Sequence, residues 1–208
     1  MQRDSASENL QIIRTLMERS ALYRRALAPV MGTLGATGIA AAVAGCYLRF
    51  QSPRSLAVFW MAASAVCLVE AFVLVRRQAI KEAEPFWSPP TRRVARAMAP
   101  AFFAGFGAGL AYLIFEPRLL PAPWLLVPAW MLFYGCGLHA AGFFLPRGFR
   151  LLGWAFVIFG VAAGIGGLAC SQHPSLGLAN LAMGLVFGGS HWACGIYLYF
   201  SEKRRSQP

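Results

Sequence analysis

The sequence is poor in charge, and in acidic residues above all. Only 13% of its 208 residues are charged, and 8 acidic residues stand against 19 lysines and arginines. Soluble domains carry about 25% charged residues, so this composition argues against a soluble protein. Aspartate is missing after Asp4, which removes the usual third member of a hydrolytic triad. We therefore expect neither a soluble domain nor a hydrolase, and a non-enzymatic protein is the first expectation.

Paired cysteines and nucleotide-binding motifs are missing as well. All five cysteines lie inside or at the edge of apolar runs and none has CxxC spacing, which indicates neither a disulfide framework nor a zinc ribbon. Phosphate loops, zincin motifs and dinucleotide fingerprints do not occur. The basic excess would suggest nucleic acid in a soluble protein, but here the bases lie between apolar runs. That placement favours contact with anionic lipid headgroups and no nucleic-acid partner.

Long uncharged runs are what the chain has in abundance. Hydrophobic residues make up 58% of it, and about 20 apolar residues suffice to cross roughly 30 Å of hydrocarbon. The pattern predicts an all-α fold, with a six-span transmembrane bundle in residues 28–200 and a basic tail at 201–208. The predicted spans are residues 28–48, 55–75, 97–115, 123–145, 150–170 and 176–200.

An amphipathic cytoplasmic helix is predicted before the first span, in residues 1–27. Ser5 and Glu8 have the spacing of a capping box, and apolar residues recur on one helix face between Leu10 and Ala21. Such a helix either lies in the membrane interface or docks a cytoplasmic partner, and the sequence leaves both readings open.

The distribution of basic residues predicts how the chain is oriented. Sixteen of the 19 fall in the amino-terminal segment, the loop of residues 76–96, the loop between spans four and five, or the tail. The other side has only Arg49, Arg54 and Arg118. Since lysine and arginine are enriched on the cytoplasmic side, both termini are predicted to be cytoplasmic in a multi-pass protein of a bacterial inner membrane.

Small residues recur at helical spacing in several spans. Gly105 and Gly109 lie on span three, and Gly184, Gly188 and Gly189 lie on span six. This spacing lets helix backbones approach closely. We expect these glycines to pack helices within a compact bundle or at an oligomer face. The leading functional prediction is a structural or accessory subunit that associates through these faces with itself or a partner.

Ionisable groups inside membrane spans are costly and mark candidate functional sites. Glu70 lies fifteen residues after Ser55, His139 fifteen after Trp124 and His191 fifteen after Leu176. At 1.5 Å per residue, each lies about 22 Å from the outer face. Tyr134 is a candidate hydrogen-bond partner for either histidine. A shared site of these groups would suit a small transporter or an ion-conducting protein, which is the second functional prediction.

The third alternative is a subunit of an electron-transfer complex that binds haem b or a transition metal. His139 and His191 are candidate ligands of one haem iron. Cys136 with His139, and His191 with Cys194, form pairs at i, i+3 that share a helix face and suit a four-ligand metal site. The sequence does not decide among these alternatives, and a protein without a cofactor is the first expectation.

Three short stretches of the sequence carry a resemblance to a known protein family. They are Glu8-Asn9-Leu10 through Ile13-Arg14 to Met17-Glu18-Arg19-Ser20, then Tyr134-Gly135-Cys136-Gly137, and Phe187-Gly188-Gly189-Ser190-His191 followed by Gly195. Together they resemble a family of uncharacterised bacterial multi-pass inner-membrane proteins. The resemblance implies a helical inner-membrane protein without an established activity, sometimes encoded near winged-helix regulators. It also implies a histidine at position 191 but none at 139, which weakens a two-histidine site.

Overall fold

The structure is a computed structural model that describes residues 27–81, 83, 85–115, 123–169 and 175–205. Within these ranges nearly every residue is helical and none lies in a strand. The predicted all-α fold is therefore confirmed. The predicted amphipathic helix of residues 1–27 lies outside the described residues except for Leu27.

Seven α-helices follow one another along the described chain, with one 3₁₀ turn and one π-helical segment between them. The helices are α1 Leu27–Leu48, α2 Pro53–Lys81, α3 Pro89–Phe115, α4 Leu126–Ala141, α5 Gly148–Ala169, α6 Leu176–Met183 and α7 Ser190–Arg205. The 3₁₀ turn Pro123–Leu125 precedes α4, and the π-helical segment Gly184–Gly189 joins α6 to α7. We call the continuous stretch Leu176–Ser201 the last span.

Five stretches are long and apolar enough to cross a bilayer, judged by length and composition. They are α1, α2, α3, α5 and the last span. Helix α4 is apolar too, but its 16 residues are fewer than the roughly 20 that a transmembrane helix needs. Helix length alone therefore supports five spans and leaves the predicted sixth unconfirmed.

The helices begin where side chains or prolines satisfy their first turns. Helix α2 starts at Pro53, and the missing N–H of proline is tolerated there because the N–H of a first helical residue has no partner within the helix. The Ser52 hydroxyl accepts a hydrogen bond from the N–H of Ser55 at 3.2 Å. Helix α6 starts after Ser175, whose hydroxyl accepts from the N–H of Leu178 at 3.2 Å. These caps position the first turns of both helices.

Helix α1 and the last span lie antiparallel with their backbones in contact. A Cβ added to Gly38 would lie 2.8 Å from the Cα of Gly188, and one added to Gly188 would lie 2.6 Å from the nitrogen of Ile39. The same close approach is repeated along both helices, by Gly35 with Trp192, Gly195 with Gly32 and Gly184 with Ala42. Only residues without a Cβ permit this distance, so the small-residue stripe of α1 is used inside the chain.

Four of the five glycines predicted to pack helices do lie at helix contacts. Gly184 and Gly188 face α1, Gly109 lies against side chains of α2 and α4, and the carbonyl of Gly105 accepts a hydrogen bond from an α4 tryptophan at 2.9 Å. Gly189 differs, because a Cβ there would meet nothing within 4 Å. It is next to the contact in sequence, but the helical rotation of one residue turns it away from α1.

Asn180 joins three helices and is only 1% exposed. The indole N–H of Trp60 on α2 donates to its Oδ1 at 3.1 Å, and its Nδ2 donates to the Ala42 carbonyl on α1 at 2.8 Å. A Cβ on Gly45 would collide with the Asn180 amide. The absence of a side chain at Gly45 therefore provides the space that Asn180 occupies. No sequence pattern singles out this residue, since it is uncharged and lies in an apolar run.

Candidate intramembrane polar site

His191 lies in the first turn of α7 and is 3% exposed. Its Nδ1 is 2.7 Å from the carbonyl oxygen of Phe187, and its Nε2 is 2.6 Å from the hydroxyl of Tyr134 on α4. Because a carbonyl can only accept, Nδ1 carries the proton of the neutral ring. The Tyr134 hydroxyl then donates to Nε2. Of the two histidines for which Tyr134 is a candidate partner, the structure pairs it with His191.

The π-helical segment Gly184–Gly189 places this histidine. A π turn holds more residues than an α turn, so residues after it are rotated relative to a regular helix. Two successive carbonyls of the segment accept side-chain hydrogen bonds: that of Val186 from the Ser190 hydroxyl, and that of Phe187 from His191. Such segments occur often at functional sites, where they redirect side chains.

Aromatic rings surround the Tyr134–His191 pair. The Tyr134 ring centroid lies 6.1 Å from Phe102 on α3, 5.0 Å from Phe156 on α5 and 5.1 Å from Phe187. The Phe156 side chain is fully buried. An apolar shell of this kind lowers the local dielectric and strengthens the enclosed hydrogen bond. Four helical segments therefore hold one polar pair in an aromatic environment.

Glu70 on α2 has a different partner. The Thr37 hydroxyl on α1 lies 2.9 Å from each carboxylate oxygen of Glu70, so it can donate to either one. The side chain is half-buried. Instead of turning only toward the basic end of its own helix, the carboxylate is bonded across the interface to α1.

The Glu70–Thr37 pair and His191 lie at nearly the same level of the bundle. Neighbours of Thr37 on α1 touch neighbours of His191 on the last span. These contacts are Gly35 with Trp192 and Gly38 with Gly188. Because both helices rise 1.5 Å per residue, Thr37 and His191 differ in level by no more than about one turn, roughly 5 Å. The equal depth predicted for Glu70 and His191 agrees with this register.

His139 lies apart from the pair. It follows Tyr134 by five residues on α4, which is about 7 Å along the helix. Its ring packs 5.5 Å from Phe143 and 5.5 Å from Trp154, and its Nδ1 is buried without a hydrogen-bond partner among the described residues. His139 therefore contacts other aromatic rings than those of the pair, in the last turn of its helix, and its expected common level with Glu70 and His191 stays a prediction.

The predicted metal ligands are not assembled in the part of the chain that the structure describes. There, no three His, Cys, Asp or Glu side chains are grouped so that they could hold a metal ion. In the predicted set of Cys136, His139, His191 and Cys194, Cys136 is exposed and both ring nitrogens of His191 are already hydrogen-bonded. Ligation of haem or metal by His191 at Nε2 would replace the Tyr134 hydrogen bond.

Sequence reasoning selected His191, Tyr134 and Glu70 but missed Thr37 and the phenylalanine shell. A hydroxyl residue within an apolar span is a weak signal, because threonine often bonds its own helix backbone. Comparison with protein-family models, with curated proteins and with solved structures found no match to this chain. The site is therefore interpreted from its geometry.

Proposed function

We propose that this chain is a six-span inner-membrane protein that moves protons, or a solute coupled to protons, through the site of His191, Tyr134 and Glu70. The observation that carries the proposal is the hydrogen bond between Tyr134 and a histidine that is 3% exposed, within a helix long enough to cross a bilayer. Ionisable groups are retained inside membrane helices chiefly in ion and proton pathways.

The hydrogen-bond pattern indicates which atom would exchange the proton. Nδ1 of His191 is held by the Phe187 carbonyl, so Nε2 is the nitrogen that can gain a proton. When it does, the Tyr134 hydroxyl must turn from donor to acceptor. An imidazole can hold one proton or two, and the Glu70 carboxylate at a similar level is a second group that can accept a proton. Protonation of His191 is thus coupled to rotation of the Tyr134 hydroxyl.

Removing the imidazole is expected to lower proton flux at least roughly tenfold, the effect of about 1.4 kcal/mol on a barrier. His191→Ala, Tyr134→Phe and Glu70→Gln would each be reconstituted in liposomes that contain a pH-sensitive dye, with a potential imposed by potassium and valinomycin. His139→Ala is the matched control, because it also removes an intramembrane imidazole but lies outside the pair. Equal flux in wild type and His191→Ala, with both proteins monodisperse, would contradict the proposal.

The packing of α4 favours a sixth crossing. Its 16 residues rise about 24 Å, and the preceding 3₁₀ turn adds about 6 Å, which together match the hydrocarbon thickness. The contacts run along the whole of α5. Gly167 near the end of α5 lies against the Trp124 ring, and Gly142 just after α4 lies against Arg150 at the start of α5. Helix α4, with the 3₁₀ turn before it, therefore runs alongside the full length of α5, which is itself long enough to cross a bilayer.

Six crossings put the two chain ends on one side, and we expect that side to be the cytoplasm. Single cysteines in place of Arg54 and Arg147, in a background without the native cysteines, should be labelled by an impermeant maleimide from opposite faces. A green fluorescent protein fused after residue 208 should fluoresce, and alkaline phosphatase there should be inactive. Labelling of both positions from the same face would refute the six-span topology.

The accessory-subunit alternative stays a prediction, but the surface through which it would bind a partner changes. The glycine faces of α1 and the last span are occupied by each other, so a partner would have to use other faces. Gentle purification followed by mass analysis of co-purifying chains tests it. A stoichiometric partner together with no measurable flux would favour this alternative over transport.

A further inference from the structure

Exposed basic side chains lie where α2 ends and where α3 begins. Arg76 and Arg77 are exposed near the end of α2, and Arg92, Arg93 and Arg96 are exposed in the first turns of α3. We call these five residues the basic rim. The loop of residues 76–96 that contains them has six basic and two acidic residues, a net charge of +4.

The register of the two helices brings the backbones of the five arginines to a similar level. A Cβ on Gly109 would lie 2.6 Å from the Met61 sulfur, which fixes where antiparallel α2 and α3 touch. Arg76 lies fifteen residues after Met61, and Val94 lies fifteen before Gly109. The three arginines of α3 lie within two residues of Val94, which is at the level of Arg76. At 1.5 Å per residue, the rim residues therefore lie within about 5 Å of a common level.

Aromatic residues show where this level stands relative to the bilayer. The loop folds back so that Phe86 packs 5.0 Å from Phe72 on α2 and stacks 6.0 Å from Trp87. The Trp87 side chain is 56% exposed. Tryptophan is enriched at the boundary between acyl chains and headgroups, which favours a position of the neighbouring arginines at the depth of lipid phosphates.

We propose that the basic rim binds anionic phospholipid headgroups. Arginine matches phosphate oxygens with paired N–H donors, and clusters of four to eight basic residues beside a membrane span are typical of anionic-lipid recognition. Helix α3 begins with Pro89 and Pro90, which have no N–H. The helix terminus therefore offers fewer backbone donors than usual, and the guanidinium groups are the main donors available to a phosphate. This inference does not depend on proton transport.

The test titrates the purified, delipidated full chain with phosphatidylglycerol or phosphatidylcholine of identical acyl chains, with native mass spectrometry as the readout. Wild type should retain phosphatidylglycerol with at least roughly tenfold preference. Arg92→Gln/Arg93→Gln should lose most of that preference. The matched control Arg49→Gln/Arg54→Gln removes two charges from the opposite end and should keep it. Arg92→Lys/Arg93→Lys should lose less than the glutamine pair, because it preserves charge.

Three outcomes would overturn the proposal. The first is equal retention of the two lipids by wild type. The second is an equal loss of preference in the rim and control variants, since any basic surface would then suffice. The third is tighter binding of soluble polyglutamate than of phosphatidylglycerol, which would assign the rim to an acidic protein partner.

Discussion

Gly188→Ala is expected to destabilise the folded protein by about 1–3 kcal/mol, the usual cost of forcing an extra methyl group into a packed interior. The new Cβ would lie 2.6 Å from the nitrogen of Ile39 and 2.9 Å from the carbonyl carbon of Gly38. Both atoms belong to the α1 backbone, so no side chain can rotate away. Helix α1 would have to move off the last span, with loss of the contacts along their shared stripe.

Gly189→Ala is the matched control, one residue further along the same π-helical segment. Its Cβ meets nothing within 4 Å, so only local effects remain, and alanine is favoured over glycine in a helix by up to about 1 kcal/mol. Thermal unfolding in detergent, followed by fluorescence-detected size exclusion, would measure both. Equal midpoints for the two variants would show that α1 does not pack here as closely as described.

Asn180→Leu is expected to cost about 1–3 kcal/mol, because it leaves the buried indole N–H of Trp60 without an acceptor and removes a bond between helices. The indole N–H of Trp60 would lose its acceptor and the carbonyl of Ala42 would lose the amide donor. Both groups lie in the core that joins α1, α2 and α6, where water does not replace the lost bonds.

A double-mutant cycle separates the hydrogen bond from changes in shape. Trp60→Phe removes the donor, so adding Asn180→Leu to it should cost less than Asn180→Leu costs in the wild type. Ser64→Ala is the control, since the Ser64 hydroxyl donates only to the Met61 carbonyl of its own helix at 2.9 Å. Additive effects of the two substitutions would mean that the indole–amide bond contributes nothing to stability.

Span positions were predictable where hydropathy alone decides them. Span one was expected at residues 28–48 and α1 runs Leu27–Leu48. Span two was expected at 55–75, but α2 continues to Lys81, because a helix can extend through a charged segment after it leaves the lipid. Span four was expected to reach residue 145, whereas α4 ends at Ala141. Hydropathy marks the apolar stretch and not the helix end.

The residues of the candidate site were largely predictable from the sequence, but their arrangement was not. Ionisable residues in apolar runs identified Glu70, His139 and His191, but the structure bonds only His191 to Tyr134, and it bonds Glu70 to Thr37. Which partner each side chain meets depends on how its helix is rotated against its neighbours, and residue spacing does not determine that rotation.

By itself the sequence determined an all-helical chain with long apolar spans and basic connecting segments, because run length and charge are properties of consecutive residues. Only the tertiary structure decided that Tyr134 bonds His191, that Thr37 bonds Glu70, and that the glycine stripes face each other within one chain. Those outcomes depend on how each helix is rotated about its axis. That rotation is set by packing between helices distant in sequence and by the π-helical turn before His191.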